Sequence, residues 1–263
     1  MGRKRKNEHI TGQIEFLMPS LDSRNYVVES NDLIFGRQHL SLNAAKLLRT
    51  CIMQIKPGDS ELKPYIITVG ELEKLLGIPS KDIYRDIEGI CDNILKNPVY
   101  VKSRDGRRWA KYPWVSLVQY DSGIGVSIQL NDVLRPFLLE LKAHYTQYAL
   151  ENVLVMKSVY SLRLFEMITA RVATQYVPHE GVTVTLTLQE IRDGCGIPDD
   201  VYKQVGHFIS RVIKPAETEI QKKTSLRLER EFLKEGRRIV AVRYNVNRWW
   251  NRCVPANSGG KDK

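Results

Sequence analysis

No stretch of this 263-residue chain approaches the roughly 18 consecutive apolar residues needed to cross a membrane as a helix. The basic start Met1-Gly2-Arg3-Lys4-Arg5-Lys6-Asn7 is not followed by an apolar run of secretory type. The expected location is therefore the cytoplasm. Cysteine is scarce: Cys51, Cys91, Cys195 and Cys253 lie far apart, with no Cys-x-x-Cys pair and no nearby histidine. That spacing excludes an ordinary structural zinc site, nothing suggests a disulfide framework, and Cys91 reads as a small core residue. The histidines (His9, His39, His144, His179, His207) are scattered, so no His-x-His pair exists to hold a metal. A glycine-rich loop ending in Lys-Ser/Thr is missing too, which argues against nucleotide hydrolysis. With no carboxylates clustered for two metals, neither enzymatic activity nor a cofactor is expected.

Acidic residues are the next shortage, with 30 Asp and Glu against 40 Lys and Arg. The excess positive charge sits in three places. The N-terminal arm has four bases before its first acid, Glu8. Between Lys102 and Lys111 five bases face only Asp105. From Lys222 to Arg252 ten bases (Lys222, Lys223, Arg227, Arg230, Lys234, Arg237, Arg238, Arg243, Arg248, Arg252) face Glu229, Glu231 and Glu235. Patches of this kind suit a phosphate backbone, although any single one reads equally well as a solvated face.

What the chain does have is an internal repeat. Thr68-Val69-Gly70-Glu71-Leu72…Leu76-Gly77-Ile78-Pro79 returns 119 residues later as Thr187-Leu188-Gln189-Glu190-Ile191…Cys195-Gly196-Ile197-Pro198. The echo continues with one residue deleted. Ile83, Ile87, Ile90, Cys91, Ile94 and Leu95 correspond to Val201, Val205, Phe208, Ile209, Val212 and Ile213, the spacing of one buried helix face. In each Gly-Ile-Pro, glycine closes one helix in a left-handed conformation and proline forbids its continuation. Ser80 and Asp199 are placed to cap the helices that follow.

Each copy is preceded by an apolar helix (41–55; 154–173) and an extended stretch, of which Val182-Thr183-Val184-Thr185-Leu186-Thr187 alternates cleanly. Each is followed by strands. In the second copy residues 226–232 and 239–246 form a hairpin turning at Gly236. In the first, 99–102 turns at Asp105-Gly106, returns through 109–120, and turns again before 126–130. Helix, strand, helix, turn, helix, hairpin is the winged-helix plan. The expected fold is thus α+β, two tandem winged-helix domains related by internal duplication. The expected boundaries are a basic arm (1–30), a first winged helix (31–147), a second (148–252) and a tail (253–263).

With the stripes turned inward, Lys81, Tyr84, Arg85 and Glu88 face out in the first copy. Tyr202, Lys203, His207, Ser210, Arg211 and Lys214 do so in the second. Such side chains contact phosphates, and Arg or Lys also reads guanine edges. The candidate DNA-binding set is Lys81, Tyr84, Arg85, Arg104, Arg107, Arg108, Tyr202, Lys203, His207, Arg211, Lys214, Lys222, Lys223, Arg237, Arg238 and Arg243. The second copy is the expected sequence reader and the first a backbone contact. His207 alone reads more often as a bystander, and the tyrosines read equally as packing at the helix base.

Between the copies, residues 131–141 read as an amphipathic helix. The run Phe137-Leu138-Leu139-Glu140-Leu141-Lys142…Tyr145-Thr146-Gln147-Tyr148…Lys157-Ser158…Tyr160-Ser161-Leu162-Arg163-Leu164-Phe165-Glu166 closely resembles the iteron-plasmid replication initiator family. The resemblance spans roughly residues 30 to 250. It implies a protein that binds direct repeats at a plasmid origin as a monomer, promotes opening of adjacent AT-rich DNA, and recruits the host initiator ATPase and replicative helicase. It also implies a dimer, joined through the first winged helix, that binds an inverted repeat and represses its own gene, contributing to copy control. The second winged helix would make most base contacts. Within Lys157–Glu166 a scaffold role is favoured, with an Arg163–Glu166 pair at i,i+3, and with Lys157 and Arg163 as alternative phosphate contacts. The rivals are a nicking enzyme, which would need the missing His-x-His pair, and a winged-helix transcriptional regulator.

Overall fold

Thr68 and Thr187, which open the repeated segments, perform the same task in the computed structural model, which describes residues 22, 24–103, 105–141, 143–175 and 181–247. Each closes a capping box. The Thr68 backbone N–H donates to Glu71 Oε2 (2.8 Å) and Glu71 N–H to Thr68 Oγ1 (3.3 Å). Thr187 and Glu190 repeat the exchange at 2.8 and 3.0 Å. Two of the four N–H groups a helix start leaves free are thereby satisfied.

Around the first box, β1 (Tyr26–Ser30), α1 (Asn31–Phe35) and α2 (Leu42–Met53) lead to β2 (Pro64–Thr68), α3 (Val69–Leu76) and α4 (Ser80–Lys96). Then come β3 (Val99–Lys102), β4 (Trp109–Tyr112), β5 (Val115–Asp121), β6 (Gly125–Leu130) and the short α5 (Arg135–Leu138). A second round begins with β7 (Tyr145–Ala149), α6 (Leu150–Leu154), α7 (Val159–Ala173), β8 (Val182–Thr187) and α8 (Leu188–Gly194). One helical run over 205–223 follows: α9 (Val205–Phe208), a π-turn (Ile209–Ile213) and α10 (Lys214–Lys223). The hairpin β9 (Arg227–Glu235) and β10 (Arg238–Asn247) closes it.

Both copies build the same three-stranded antiparallel sheet, β2-β6-β5 and β8-β10-β9. Buried cross-strand pairs such as Ile67–Val126 and Leu186–Val242 hold the register and face the helices. The two sheets and their helices share one continuous apolar core. Residues 26–30, assigned above to the arm, form β1, which pairs along its length with β7. The segments 1–21 and 248–263, with Arg248, Arg252 and Cys253, lie outside the described residues.

Several expectations need correction. Ser80 is the first residue of α4 rather than its cap; Pro79 occupies that position. Leu95, last in the first apolar stripe, is exposed. The helix expected over 131–141 shrinks to a 3₁₀ turn and α5, because Pro136 has no N–H to give the carbonyl of Asp132. The helix expected over 154–173 starts only at Val159, capped by Ser158, and Leu154 instead ends α6. The strand expected over 109–120 is two strands, interrupted at Pro113 and the fully buried Trp114.

The largest departure is in the second helix-turn-helix. Asp199 caps nothing; residues 199–204 are irregular and the helix starts at Val205, leaving Val201 exposed. Arg192 is the reason. Its guanidinium donates to the carbonyls of Pro198 (3.0 Å), Val201 (2.6 Å) and Tyr202 (2.9 Å), which an earlier helix would have used as acceptors. Position 73 of the first copy, equivalent to 192, is Glu73, which has no N–H to offer carbonyls, and there the helix starts at once. Further along, Pro215 removes the N–H owed to the carbonyl of Arg211, and the run relaxes into the π-turn just before it.

Candidate nucleic-acid interface

The second copy assembles a basic face on a firmly held helix. Phe208, Ile209, Val212 and Ile213 are buried, leaving His207, Ser210, Arg211 and Lys214 exposed along the outer side of 205–214. One turn on, Glu217 turns inward. Its carboxylate accepts from the Tyr244 hydroxyl (2.8 Å) and pairs with Arg230, so the helix is tied to both strands of the hairpin. Burial, partly offset by the Tyr244 hydrogen bond and Arg230, pushes the Glu217 carboxyl above its usual range. Lys222 and Lys223 are exposed in the last turn of α10, where positive charge complements the helix dipole.

The hairpin turns at Gly236, whose φ of +59° is the left-handed geometry expected there, and Arg237 and Arg238 are exposed at its tip. Arg243 stands elsewhere. It lies mid-strand beside Thr185 and Glu231 on the outer face of the sheet and donates to Glu231 at 3.0 Å. Tyr202 and Lys203 precede the helix instead of riding on it. Tyr202, at φ +50°, packs half-buried against the core, and Lys203 is exposed in the turn.

In the first copy Lys81, Tyr84, Arg85 and Glu88 are exposed on α4 as expected. The charge there is nearly balanced, because Arg85 lies 2.9 Å from Asp86 and 3.5 Å from Asp82. Tyr84 meets Tyr120 of β5 with ring centroids 6.0 Å apart. The wing of this copy, by sheet order, is β5–β6, whose turn at 121–125 carries Asp121 and no base. Arg107 and Arg108 are exposed at the tip of β3–β4, a separate two-stranded sheet beyond the far end of α4. Arg104, which precedes them in the same basic cluster of the sequence, lies outside the described residues.

Arg163 occupies the join and cannot contact phosphate, since it is 1% exposed. Its Nε donates to the Gly194 carbonyl (2.8 Å) at the end of α8, and Nη2 to the carbonyls of Gly36 (3.3 Å) and Ile34 after and within α1. Nη1 pairs with Glu166, the i,i+3 contact anticipated. Glu166 also accepts from Arg49 Nε (2.9 Å) and from the Tyr148 hydroxyl (2.6 Å), which lies 2.8 Å from Glu29 as well. Arg37 pairs with Asp193 nearby. Lys157 is exposed, and its backbone N–H donates to Glu219 (2.7 Å). The run resembling the initiator family is thus the polar seam that fixes one winged helix against the other. Sequence reasoning missed its extent, although two unlike charges inside an all-round apolar helix were the signal.

Two winged helices locked by a buried seam, one with a basic recognition helix and wing, define a double DNA-binding module. Residues 26–169 match the family model for the WH1 domain of initiator replication proteins, and residues 187–246 match that for the initiator Rep protein WH2 domain. The chain belongs to the plasmid replication initiator family. An uncharacterized 27.6 kDa protein of Escherichia coli is 21% identical over 219 residues, covering 78% of this chain and 89% of its own length. A replication initiation protein of Escherichia coli is 18% identical over 206 residues, covering 77% of this chain and 64% of that protein. Among solved structures, Pi initiator protein in complex with iteron DNA matches with a TM-score of 0.69 and 17% identity, covering 86% of this chain and 98% of that one. Among the described residues no helix is long and apolar enough to cross a membrane.

Proposed function

We propose that this initiator binds direct repeats at a plasmid origin as a monomer through the second winged helix. The exposed His207, Arg211 and Lys214 on a helix anchored by Glu217 carry this reading, because rigid donors aimed outward are what groove recognition requires. The Pi initiator, similar in fold, is known bound to iteron DNA, which supports it. The first winged helix, with its balanced α4, adds backbone contact. It also supplies the dimer contact, since β5 is an edge strand with Leu117 half exposed. Bound to its repeats in the cytoplasm, the protein promotes opening of neighbouring DNA and recruits the host initiator ATPase and replicative helicase. As a dimer it represses its own gene. It performs no catalytic step and needs no cofactor.

A minimal plasmid carrying the gene and its upstream repeats tests this reading directly. Replication in a suitable host, with direct repeats protected at regular spacing in a footprint, is the expected result. Failure to replicate while the protein still binds, with one lone inverted repeat protected, would identify a transcriptional regulator instead.

Two substitutions separate reading from clamping. Arg211→Ala should weaken binding to the repeat by about 1–3 kcal/mol and leave random duplex nearly unaffected. Arg237→Ala with Arg238→Ala should weaken binding to every sequence and reduce the slope of log K against log salt by about 2. Titrations at several salt concentrations measure both, and an unchanged slope would remove the wing from the DNA.

A further inference from the structure

The hairpin β3–β4 belongs to neither winged-helix sheet, and its two faces differ sharply. Strand pairing places Tyr100 opposite Lys111 and Lys102 opposite Trp109, so all four share one face. The other face is used structurally: Val99 is fully buried, and Tyr112 packs edge-on against Phe137 at 5.0 Å. Reciprocal backbone hydrogen bonds between Arg37 and Tyr100 (2.8 and 2.9 Å) fix the hairpin to the body. The free face is a checkerboard. Tyr100 and Trp109 stack on one diagonal, with centroids 5.7 Å apart and planes 30° apart, and the two lysines occupy the other. Among the described residues Trp109 is 63% exposed.

Tyr100, Lys102 and Lys111 also line a cleft of about 1210 Å³ between the two winged helices, together with His39 and Lys96. This surface is remote from the recognition face of the first copy. Tyr84, which meets the wing, lies near the start of α4, whereas the hairpin follows its end, some 20 Å away at about 1.5 Å per residue.

We infer that the outer face of β3–β4 is a second nucleic-acid site, one that takes single-stranded DNA. An exposed indole stacked on a half-buried tyrosine ring offers its open face to a flat partner. Bases within a duplex hide their faces from such rings, whereas unpaired bases offer them, and interleaved lysines match the phosphates between successive bases. Arg107 and Arg108 at the hairpin tip extend the positive track. The site rests on the proposed origin-opening role only for the source of the unpaired strand.

The test uses the full chain and three labelled probes: a short oligothymidylate, a random duplex and the repeat duplex. The parent should bind oligothymidylate with quenching of its tryptophan fluorescence. Trp109→Ala should weaken that binding by about tenfold or more and leave the repeat duplex within about twofold. Trp109→Phe, which keeps a ring and the fold, should retain the affinity and lose most of the quenching. Three results would overturn the site: no oligothymidylate binding by the parent, a parallel loss for oligothymidylate and duplex, or binding that depends on Lys102 and Lys111 but not on Trp109. The last would mark a surface for phosphates or acidic protein alone. Should the parent bind oligothymidylate but no repeat duplex, the initiator reading fails and this site stands.

Discussion

Replacing Glu166 with alanine is expected to remove about 3–5 kcal/mol of folding stability, the usual cost of stranding a buried charge. Glu166 is fully buried and is the counter-ion of both Arg49 and Arg163, themselves buried. Without it two guanidinium groups would remain in the core, and Arg49 would have only Gln38 (3.0 Å) and the more distant Glu29 (4.0 Å). Urea unfolding measures the loss. A change below about 1 kcal/mol would mean that water or rearrangement relieves the seam.

The neighbouring carboxylate should behave differently, for a reason that lies in the proton count. The Tyr148 hydroxyl has one proton but lies within hydrogen-bonding distance of both Glu29 and Glu166. Two ionised carboxylates cannot both accept it. Burial pushes the Glu29 carboxyl up, against the pull of Arg49, and the nearby Glu166 pushes it the same way. For Glu166, burial is outweighed by Arg49 and Arg163, which hold it below the usual range. Glu29 is therefore the member that takes up a proton more readily, and once protonated it can donate to Tyr148 while Tyr148 donates to Glu166. Glu29→Gln should accordingly cost less than about 1 kcal/mol, far less than Glu166→Ala. The pH dependence follows in sign. A carboxyl raised on folding contributes stability below its unfolded pKa, about 4.3, and loses it as pH climbs through the folded value. Glu29→Gln should flatten that decline.

Much of this fold was legible because duplication displays the same constraint twice. The stripe Ile83, Ile87, Ile90, Cys91 and Ile94 is buried as its spacing implied, and both Gly-Ile-Pro glycines are left-handed. Thr-x-x-Glu also stood in both copies and would have located the capping boxes from spacing alone. Less visible was the delayed second helix, because its cause is a single side chain. Arg192 reaches three carbonyls six to ten residues away, a contact with no periodicity. The isolation of β3–β4 was hidden because Tyr112 and Val115 are both strand residues, and only Pro113 marks the break. For the candidate DNA-binding set, charge pointed to side chains that are exposed at the wing tip and on α10, but charge has no direction. It could not tell that Arg243 turns to Glu231 or that Arg163 is sealed within the join.

The two Gly-Ile-Pro glycines should respond unequally to one substitution. Gly77 has φ +67° and Gly196 φ +64°, so alanine at either must adopt a left-handed backbone at about 1–2 kcal/mol. Around Gly77 a Cβ would meet nothing within 4 Å. At Gly196 it would lie 2.0 Å from the carbonyl oxygen of Gln38 and 2.9 Å from its carbon, both backbone atoms of the other winged helix. Gln38 cannot easily retreat, because its buried side chain donates to the Leu33 carbonyl (2.8 Å) and accepts from Arg49 (3.0 Å). Gly196→Ala therefore adds a steric cost of about 1–3 kcal/mol to the backbone cost. Relief is available only by shifting the second winged helix against the first. Gly77→Ala should lower stability modestly and leave repeat binding intact. Gly196→Ala should lower stability further and weaken binding wherever both winged helices must engage one repeat together. Unfolding and titration against the repeat duplex report the two effects separately. Equal behaviour of the two variants would show that the close approach at Gly196 does not constrain the join, and that the seam around Arg163 alone holds the domains in register.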